Sequence, residues 1–391
     1  GESGGKELWS LIPSFALRHL QRLRANAPPI VFPAPVPAGD TNKPYLVDGG
    51  LSVHAPDLDG DCHPDKVWLF VSMRRGGRWL YALDITQPTT PRLLWKKNAT
   101  DSGYAELGQT WSRPKPIRLA DGQTYLIFGA GYDPDADDQP VHLATGLYAP
   151  AVTDQHTMGR GIFVVEAESG RVKRFFQAGR FSVPSEVAVV PNPSTGWVDR
   201  AYVGDTGGDV WKLGFPDAVP ANWTITRIAA LGDPTDLQRT GEDARRFLYP
   251  PDVALCDGAI VLLIGSGDRE KPFDQRVQNR FFQIRDGEAQ VITPNDLSAL
   301  SAPGALPDPL KKGWFFNLAT GEKTVGAALT RSGTVHFPTH QPSEMANGCG
   351  SALGTARLYH VRCGTGGPAV VVGGNSSSNR FEVLQGGGFP A

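Results

Sequence analysis

The stretch Asp57-Leu-Asp59-Gly-Asp61-Cys-His63-Pro-Asp65 sets an aspartate at every other position and a fourth after a short gap. Ionised carboxylates packed this closely repel one another, so a compact loop needs a cation to hold them. Oxygen-only ligands, a mid-loop Gly60 for the sharp turn and alternating side chains suit a hard ion, calcium being the usual one. The expected ligands are the carboxylates of Asp57, Asp59, Asp61 and Asp65 and the backbone carbonyl of His63. The loop lacks the late Glu of an EF-hand, and no helix pattern flanks it. Lys66 to Ser72 instead reads as a strand, so the ion would tie a hairpin together. The alternative is an Asp-rich solvated turn, because Asp and Gly favour turns on their own.

A second acidic stretch, Tyr132-Asp133-Pro-Asp135-Ala-Asp137-Asp138-Gln139, repeats the alternation without the glycine. Asp133, Asp135 and Asp137 form a possible second metal site, which Asp154 could complete only through folding; a solvated loop is the alternative. Catalytic constellations are hard to find in the sequence. The eight histidines are scattered, and Pro338 between His336 and His340 rules out a shared helix face for zinc. There is no nucleophile elbow, phosphate loop or dinucleotide fingerprint. Asp205 and Asp209 flank Thr-Gly-Gly and read as a hairpin turn; Asp84, Glu166 and Asp268 end strands and read as turn caps. Trp68, Trp79, Trp95, Trp111, Trp211 and Trp314 read as packing residues.

The elements that position these residues are short strands. Gly (46) and Pro (33) make up about a fifth of the 391 residues and are spread among apolar runs, the profile of an all-β chain with many turns. Strands are expected at Tyr45–His54, Val67–Met73, Trp79–Thr86 and Arg92–Lys97, then at Arg113–Leu119, Tyr125–Ala130, Gly161–Glu166 and Val172–Gln177. A third group is Glu186–Val190, Asp199–Val203, Asp209–Phe215 and Thr224–Ala230. Tyr249–Leu255, Ala259–Gly265 and Arg280–Asp286 start a fourth. Trp314–Leu318, Lys323–Thr330, Thr334–Thr339 and Ala356–Arg362 make a fifth. Four strands per unit at a period of about 45 to 75 residues is how a β-propeller reads. The expectation is an all-β, modified propeller of five to seven blades with long inserted loops; a pair of β-sandwiches is the alternative. Residues 1–44 would be a lead-in strand, a short helix at Leu17–Ala25 and a Pro-rich linker, and residues 45–391 the propeller. Leu8–Ile12 could pair with late strands to build a further blade.

With 38 basic and 40 acidic residues the formal net charge is −2, which gives no reason to expect nucleic acid or an anionic membrane as partner. No apolar run reaches the roughly 18 residues of a membrane-spanning helix. The N-terminal Gly-Glu-Ser-Gly-Gly-Lys does not read as a signal peptide, and the chain is expected to be a fragment of a longer precursor. None of the four cysteines has zinc or redox spacing. Cys349 and Cys363 bracket a Gly-rich hairpin, and a disulfide is expected across its ends in an oxidising compartment. Cys62 and Cys256 could pair or stay free.

The strand wording points further. Gly5-Lys-Glu-Leu-Trp-Ser-Leu-Ile-Pro13, Tyr45-Leu-Val-Asp-Gly-Gly50, Tyr81-Ala-Leu-Asp-Ile-Thr86 and Leu107-Gly-Gln-Thr-Trp-Ser-Arg-Pro114 are followed by Phe128-Gly-Ala-Gly-Tyr-Asp133, Met158-Gly-Arg-Gly-Ile-Phe163 and Asp199-Arg-Ala-Tyr-Val-Gly-Asp205. Lys312-Gly-Trp-Phe-Phe316, Thr320-Gly-Glu-Lys323 and Asn347-Gly-Cys349 complete the series. From about Gly5 to Pro390 the chain resembles the C-terminal β-propeller domain of the PilY1/PilC family of type IV pilus tip adhesins and biogenesis factors. The resemblance implies a non-enzymatic, exported protein of the outer membrane, cell surface and pilus tip. It implies minor pilins and the pilus tip complex as partners, a host or abiotic surface as adhesion target, roles in pilus assembly against retraction and in twitching motility, and calcium as regulator. One departure concerns the calcium loop that the family often carries just before the Asp-Arg-Ala-Tyr strand. Here that segment reads Pro191-Asn-Pro-Ser-Thr-Gly-Trp-Val-Asp199, and only its last Asp remains. No Arg-Gly-Asp occurs either. The alternatives from other classes are a quinoprotein-like propeller dehydrogenase, which shares the Ala-Leu-Asp wording but would need a cofactor site not found here, and a surface glycan-binding propeller.

Overall fold

Residues Trp79–Asp84 show why the chain stacks its sheets in series. Leu80 and Ala82 face one way, Tyr81 and Leu83 the other, and all four are buried. A strand that is apolar on both faces has to be covered on both. The same alternation recurs in the middle strands of the following sheets, and sheets 2, 3 and 4 are each sandwiched between neighbours.

The computed structural model describes residues 5–27, 44–136, 139–142, 147–149, 157–232, 241–343, 354–369 and 380–384. Sheet 1 holds β1 (Leu51–His54), β2 (Trp68–Ser72), β3 (Trp79–Asp84) and β4 (Arg92–Asn98) in that order. Sheet 2 begins with β5 (Lys115–Arg118) and β6 (Thr124–Gly129). A separate hairpin of β7 (Gln139–His142) and β8 (Leu147–Ala149) follows, and β9 (Gly161–Glu166) and β10 (Val172–Gln177) complete the sheet. Sheet 3 runs β11 (Ala188–Pro191), β12 (Val198–Gly204), β13 (Asp209–Gly214) and β14 (Thr224–Ala230). These three agree with the sequence reading strand for strand.

Sheet 4 departs from it. Its strands β15 (Asp252–Cys256), β16 (Ala259–Gly265) and β17 (Arg280–Arg285) are followed by a two-residue β18 (Ser298–Ala299) and by β19 (Gly313–Asn317). β19 pairs antiparallel with β17, Phe282 opposite Phe315, and parallel with β18. The strand expected to open the fifth group therefore closes the fourth. Sheet 5 is built from β20 (Lys323–Thr324), β21 (Leu329–Arg331), β22 (Thr334–Gln341), β23 (Thr355–Arg362) and β24 (Phe381–Val383), with β20 and β21 both on β22.

The sheets are arranged as propeller blades. Strands at one edge of the sheets approach one another: β1 lies by β5, β11 by β15 and β15 by β21. Four apolar cores fill the spaces between successive sheets. In sheet 2, Tyr125 and Ile127 point to sheet 3 while Leu126 and Phe128 point to sheet 1. Among the described residues no strand pairing joins sheet 5 back to sheet 1. The outer face of sheet 1 is covered from the N-terminal side instead. Trp9 and Phe15 pack on Val71, Met73, Tyr81 and Leu83, Phe15 stacks on Trp79 at 6.0 Å, and the Trp9 indole N–H donates to the Pro88 carbonyl at 2.9 Å. Leu8–Ile12 is thus not a blade strand, because its tryptophan is used to cap an apolar face. The expected helix is present as α1 (Leu17–Ala25).

The expected Cys349–Cys363 disulfide is corrected. Cys363 is bonded to Cys256, with Cα atoms 6.0 Å apart, which joins sheet 4 to sheet 5; Cys349 lies outside the described residues, and Cys62 is free and exposed. Trp68, Trp95 and Trp314 are buried between sheets as expected, but Trp79, Trp111 and Trp211 are only half-buried.

Candidate metal centre

The acidic loop joins β1 to β2, so a hairpin does hold it. Its backbone is shaped by its own carboxylates. Asp57 accepts the N–H of Gly60 on Oδ1 (2.7 Å) and of Cys62 on Oδ2 (2.9 Å). Asp59 Oδ1 accepts Asp61 N–H (3.2 Å), and Asp61 Oδ1 accepts His63 N–H (2.8 Å). Gly60 and Cys62 take left-handed φ values of 81° and 68°, which turn the chain back on itself. As a result Asp57, Asp59 and Asp61 each bring a carboxylate oxygen within 4.8 Å of the others, all three exposed.

Asp65 has a different place. Its Oδ2 accepts the Leu58 N–H at 2.6 Å and its own N–H donates to the Pro56 carbonyl at 3.0 Å, so it closes the neck of the loop. The three-carboxylate set consists of hard oxygen donors, and no ion pair within the chain neutralises any of the four aspartates among the described residues. The nearby Lys66 ammonium lies over the Trp68 ring, 5.2 Å from its centre. This donor chemistry fits calcium, with water or backbone carbonyls such as that of His63 filling the remaining positions.

The corresponding connection in sheet 3 makes the contrast. Between β11 and β12, the Asn192 side-chain amide donates to Asp199 Oδ2 (3.0 Å) and Arg200 Nε to Asp199 Oδ1 (3.1 Å). Side chains satisfy there what a cation would satisfy in the β1–β2 loop.

In the second acidic stretch the described carboxylates are those of Asp133 and Asp135. Asp133 is buried, and its carboxylate accepts the N–H groups of Asp135 (3.1 Å), Thr157 (2.7 Å) and Met158 (3.3 Å), anchoring the two ends of the long insertion. Asp137 and Asp154 lie outside the described residues. Asp205 also proves to be a turn residue. It accepts Gly207 and Asp209 N–H on Oδ1 and the Trp211 indole N–H on Oδ2 at 2.8 Å. Burial, followed by the like charge of Asp209, pushes its pKa up to about 7.

Beside the acidic loop a groove of about 820 Å³ opens between sheets 1 and 2. Pro56 and Leu58 from the loop form one wall, and Trp68, Tyr125 and Lys173 lie among its other lining residues. Nothing in the local sequence announces this groove, because its walls come from separate sheets.

The family model of the PilY1 beta-propeller domain matches residues 37–222. A type IV pilus biogenesis factor PilY1 homolog of Xylella fastidiosa is 26% identical over 94% of this chain, and PilY1 of Pseudomonas aeruginosa is 26% identical over 54%. The chain spans 25% of the first relative's length and 16% of the second's. The crystal structure of the P. aeruginosa PilY1 C-terminal domain superposes with a TM-score of 0.62 at 18% identity, covering 83% of this chain and 72% of that one. Residues 37–222 thus match the PilY1 beta-propeller domain, the chain is similar to PilY1 type IV pilus biogenesis factors over most of its length, and it has the fold of a PilY1 C-terminal β-propeller domain.

Proposed function

We propose that this domain is a non-enzymatic docking module of an exported type IV pilus biogenesis factor, acting at the outer membrane, cell surface and pilus tip. It binds minor pilins of the tip complex, supports pilus extension against retraction, and through the pilus serves twitching motility and adhesion to host or abiotic surfaces. Calcium held by Asp57, Asp59 and Asp61, with Asp65 closing the loop, orders one wall of the groove between sheets 1 and 2. The observation that carries this reading is the continuity of Pro56 and Leu58 between the acidic loop and that groove. An ion bound only by the ordered loop stabilises that conformation and the surface it presents.

The buried charges support a binding role over catalysis, because structural partners consume them. Asp268 is held by Lys271 and Arg246, and Glu322 accepts Thr339, Tyr359 and the Ala319 N–H. The test is deletion of residues 45–391 from the full protein in its own cell. Surface pili should be lost and return with the intact gene; undiminished pili in the deletion strain would refute the assignment.

A further inference from the structure

At the end of the sheets away from the acidic loop, the residues before β1, β5 and β15 meet the β2–β3 and β16–β17 turns. Antiparallel order requires this, since first strands start where second strands end. Arg75 of the β2–β3 turn forms a two-pronged ion pair with Glu270 of the β16–β17 turn, a link between sheets 1 and 4. This tie brings the preceding residues, Arg74 and Arg269, into the same neighbourhood.

Neither of those two guanidiniums has a carboxylate hydrogen-bonded or ion-paired to it among the described residues. Arg74 lies over the Trp111 ring, 4.8 Å from its centre. Arg269 donates to the Tyr249 hydroxyl at 2.8 Å and lies 6.0 Å from that ring's centre. Arg75 is also placed over Trp111 and Tyr45, at 5.6 and 5.2 Å. Aromatic faces therefore fix the positive groups where anions would ordinarily do so. The Arg74 backbone takes a left-handed φ of 50°, a conformation that is strained for a non-glycine residue and gathers at functional sites. Gly76 keeps the turn tight, since a side chain there would collide with the Leu46 carbonyl.

We propose that Arg74 and Arg269 form a binding site for a single carboxylate on a partner chain. The charge count selects the ligand. Asp48 lies beside this turn, its N–H donating to the Met73 carbonyl at 3.2 Å, so the charges acting on one another here are three guanidiniums (Arg74, Arg75, Arg269) and two carboxylates (Glu270 and Asp48), which leaves one positive charge to be met by a monoanion. Guanidinium donors favour a planar carboxylate, which can take two N–H groups at once. Burial, followed by the like charges of Arg269 and Arg75, holds Arg74 below its ordinary basicity, against the pull of Asp48 and Glu270. An incoming anion relieves that repulsion. This site does not rest on the calcium loop, which lies at the other end of β2.

The test uses the arginine Nε–H resonances of the isotope-labelled domain, titrated at constant ionic strength. The probes are N-acetylglycine, which presents a chain-terminal carboxylate, N-acetylglutamic acid α-amide, which presents a side-chain one, and N-acetylglycinamide as neutral control. Saturable shifts of the Arg74 and Arg269 signals with one or both acids, and none with the neutral amide, are expected; the tighter acid identifies the source. Arg269→Gln, at an exposed position that leaves the Arg75–Glu270 tie intact, should weaken binding by about tenfold, the worth of one charge-assisted hydrogen bond. No saturable shift with either acid, an equal shift with the neutral amide, or unchanged affinity in both Arg269→Gln and Arg74→Gln would overturn the proposal. Tighter binding of inorganic phosphate dianion than of either acid would overturn the monoanion assignment.

Discussion

Cys256, the last residue of β15, is covalently joined to Cys363, the residue after β23, and the Trp314 indole N–H donates to the Cys363 carbonyl at 3.2 Å. The bond lies in the core between sheets 4 and 5 and spans a sequence separation of 107. Closing a loop of that size removes about 4 to 5 kcal/mol of chain entropy from the unfolded state, in the simplest model. A Cys256→Ser/Cys363→Ser variant should therefore unfold at markedly lower denaturant, with sheets 4 and 5 losing amide protection first. Equal denaturation midpoints for the variant and the oxidised parent would contradict this.

The β1–β2 loop should respond to calcium. Three carboxylates converge there with no cation paired to them among the described residues, so bound calcium should raise the melting temperature of chelator-stripped protein. Asp57→Ala with Asp59→Ala removes two of the three converging carboxylates and should abolish the rise. Persistence of the full shift in the double variant would place the ion elsewhere. Asp199→Ala, in the sheet 3 connection already satisfied by Asn192 and Arg200, should leave the calcium response intact.

Much of this architecture was legible in the sequence because its signals are local. The Asp loop declares itself within one hairpin, and sheets 1 to 3 follow from strands apolar on both faces with short turns between them. The break came after β17. There the chain runs from Arg285 to Gly313 before the next long strand, and this excursion hid the fact that Trp314 pairs with Gln283. The Cys349–Cys363 expectation rests on nearness in sequence, whereas the partner of Cys363 is set by the packing of two sheets. The Arg75–Glu270 contact joins residues 195 positions apart, and no spacing rule reaches that far.

His336 and His360 sit opposite each other on β22 and β23, with their Nδ1 atoms 2.7 Å apart. One ring must donate and the other accept, so the contact cannot survive protonation of both. Burial, followed by the charge of His360, holds His336 below its ordinary value of 6.5. A lowered folded-state value means that the unfolded chain takes up the proton more readily. The contribution is complete above pH 6.5 and is lost as pH falls through the folded-state value. His336→Asn should flatten the fall in melting temperature on the acid side. Parallel pH profiles for variant and parent would remove the pair as its cause.

Asp205 predicts the opposite slope. Its pKa is pushed up to about 7 by burial and by Asp209, from an ordinary value of 3.8. The protonated carboxyl is favoured by folding, so the contribution is complete below pH 3.8 and declines as pH rises through about 7. Replacing Asp205 by Asn keeps the shape and removes the titration. The variant should lose less stability than the parent between those two values, and calorimetric melts across that range would show the difference. An identical slope in both proteins would mean that the three N–H donors around Asp205 keep it ionised throughout.

Sheets 3 and 4 are also joined through a charge. Lys212 of β13 reaches Asp286, just past β17, at 2.7 and 2.9 Å, and the Tyr202 hydroxyl donates to the same carboxylate at 2.8 Å. Asp286 is nearly buried while Lys212 keeps partial contact with water, so the two ends of the pair are unequal. Losing the carboxylate strands a phenol and a half-buried ammonium without an acceptor, at a cost of about 2 to 3 kcal/mol. Losing the lysine leaves the carboxylate with the Tyr202 donor. Asp286→Ala should therefore destabilise the domain more than Lys212→Met, whose apolar stem still covers Tyr202. Urea unfolding of both single variants and of the double variant measures the coupling, which should be close to the Lys212→Met effect if the pair acts as one unit. Strict additivity of the two single effects would show that Lys212 and Asp286 stabilise the junction independently.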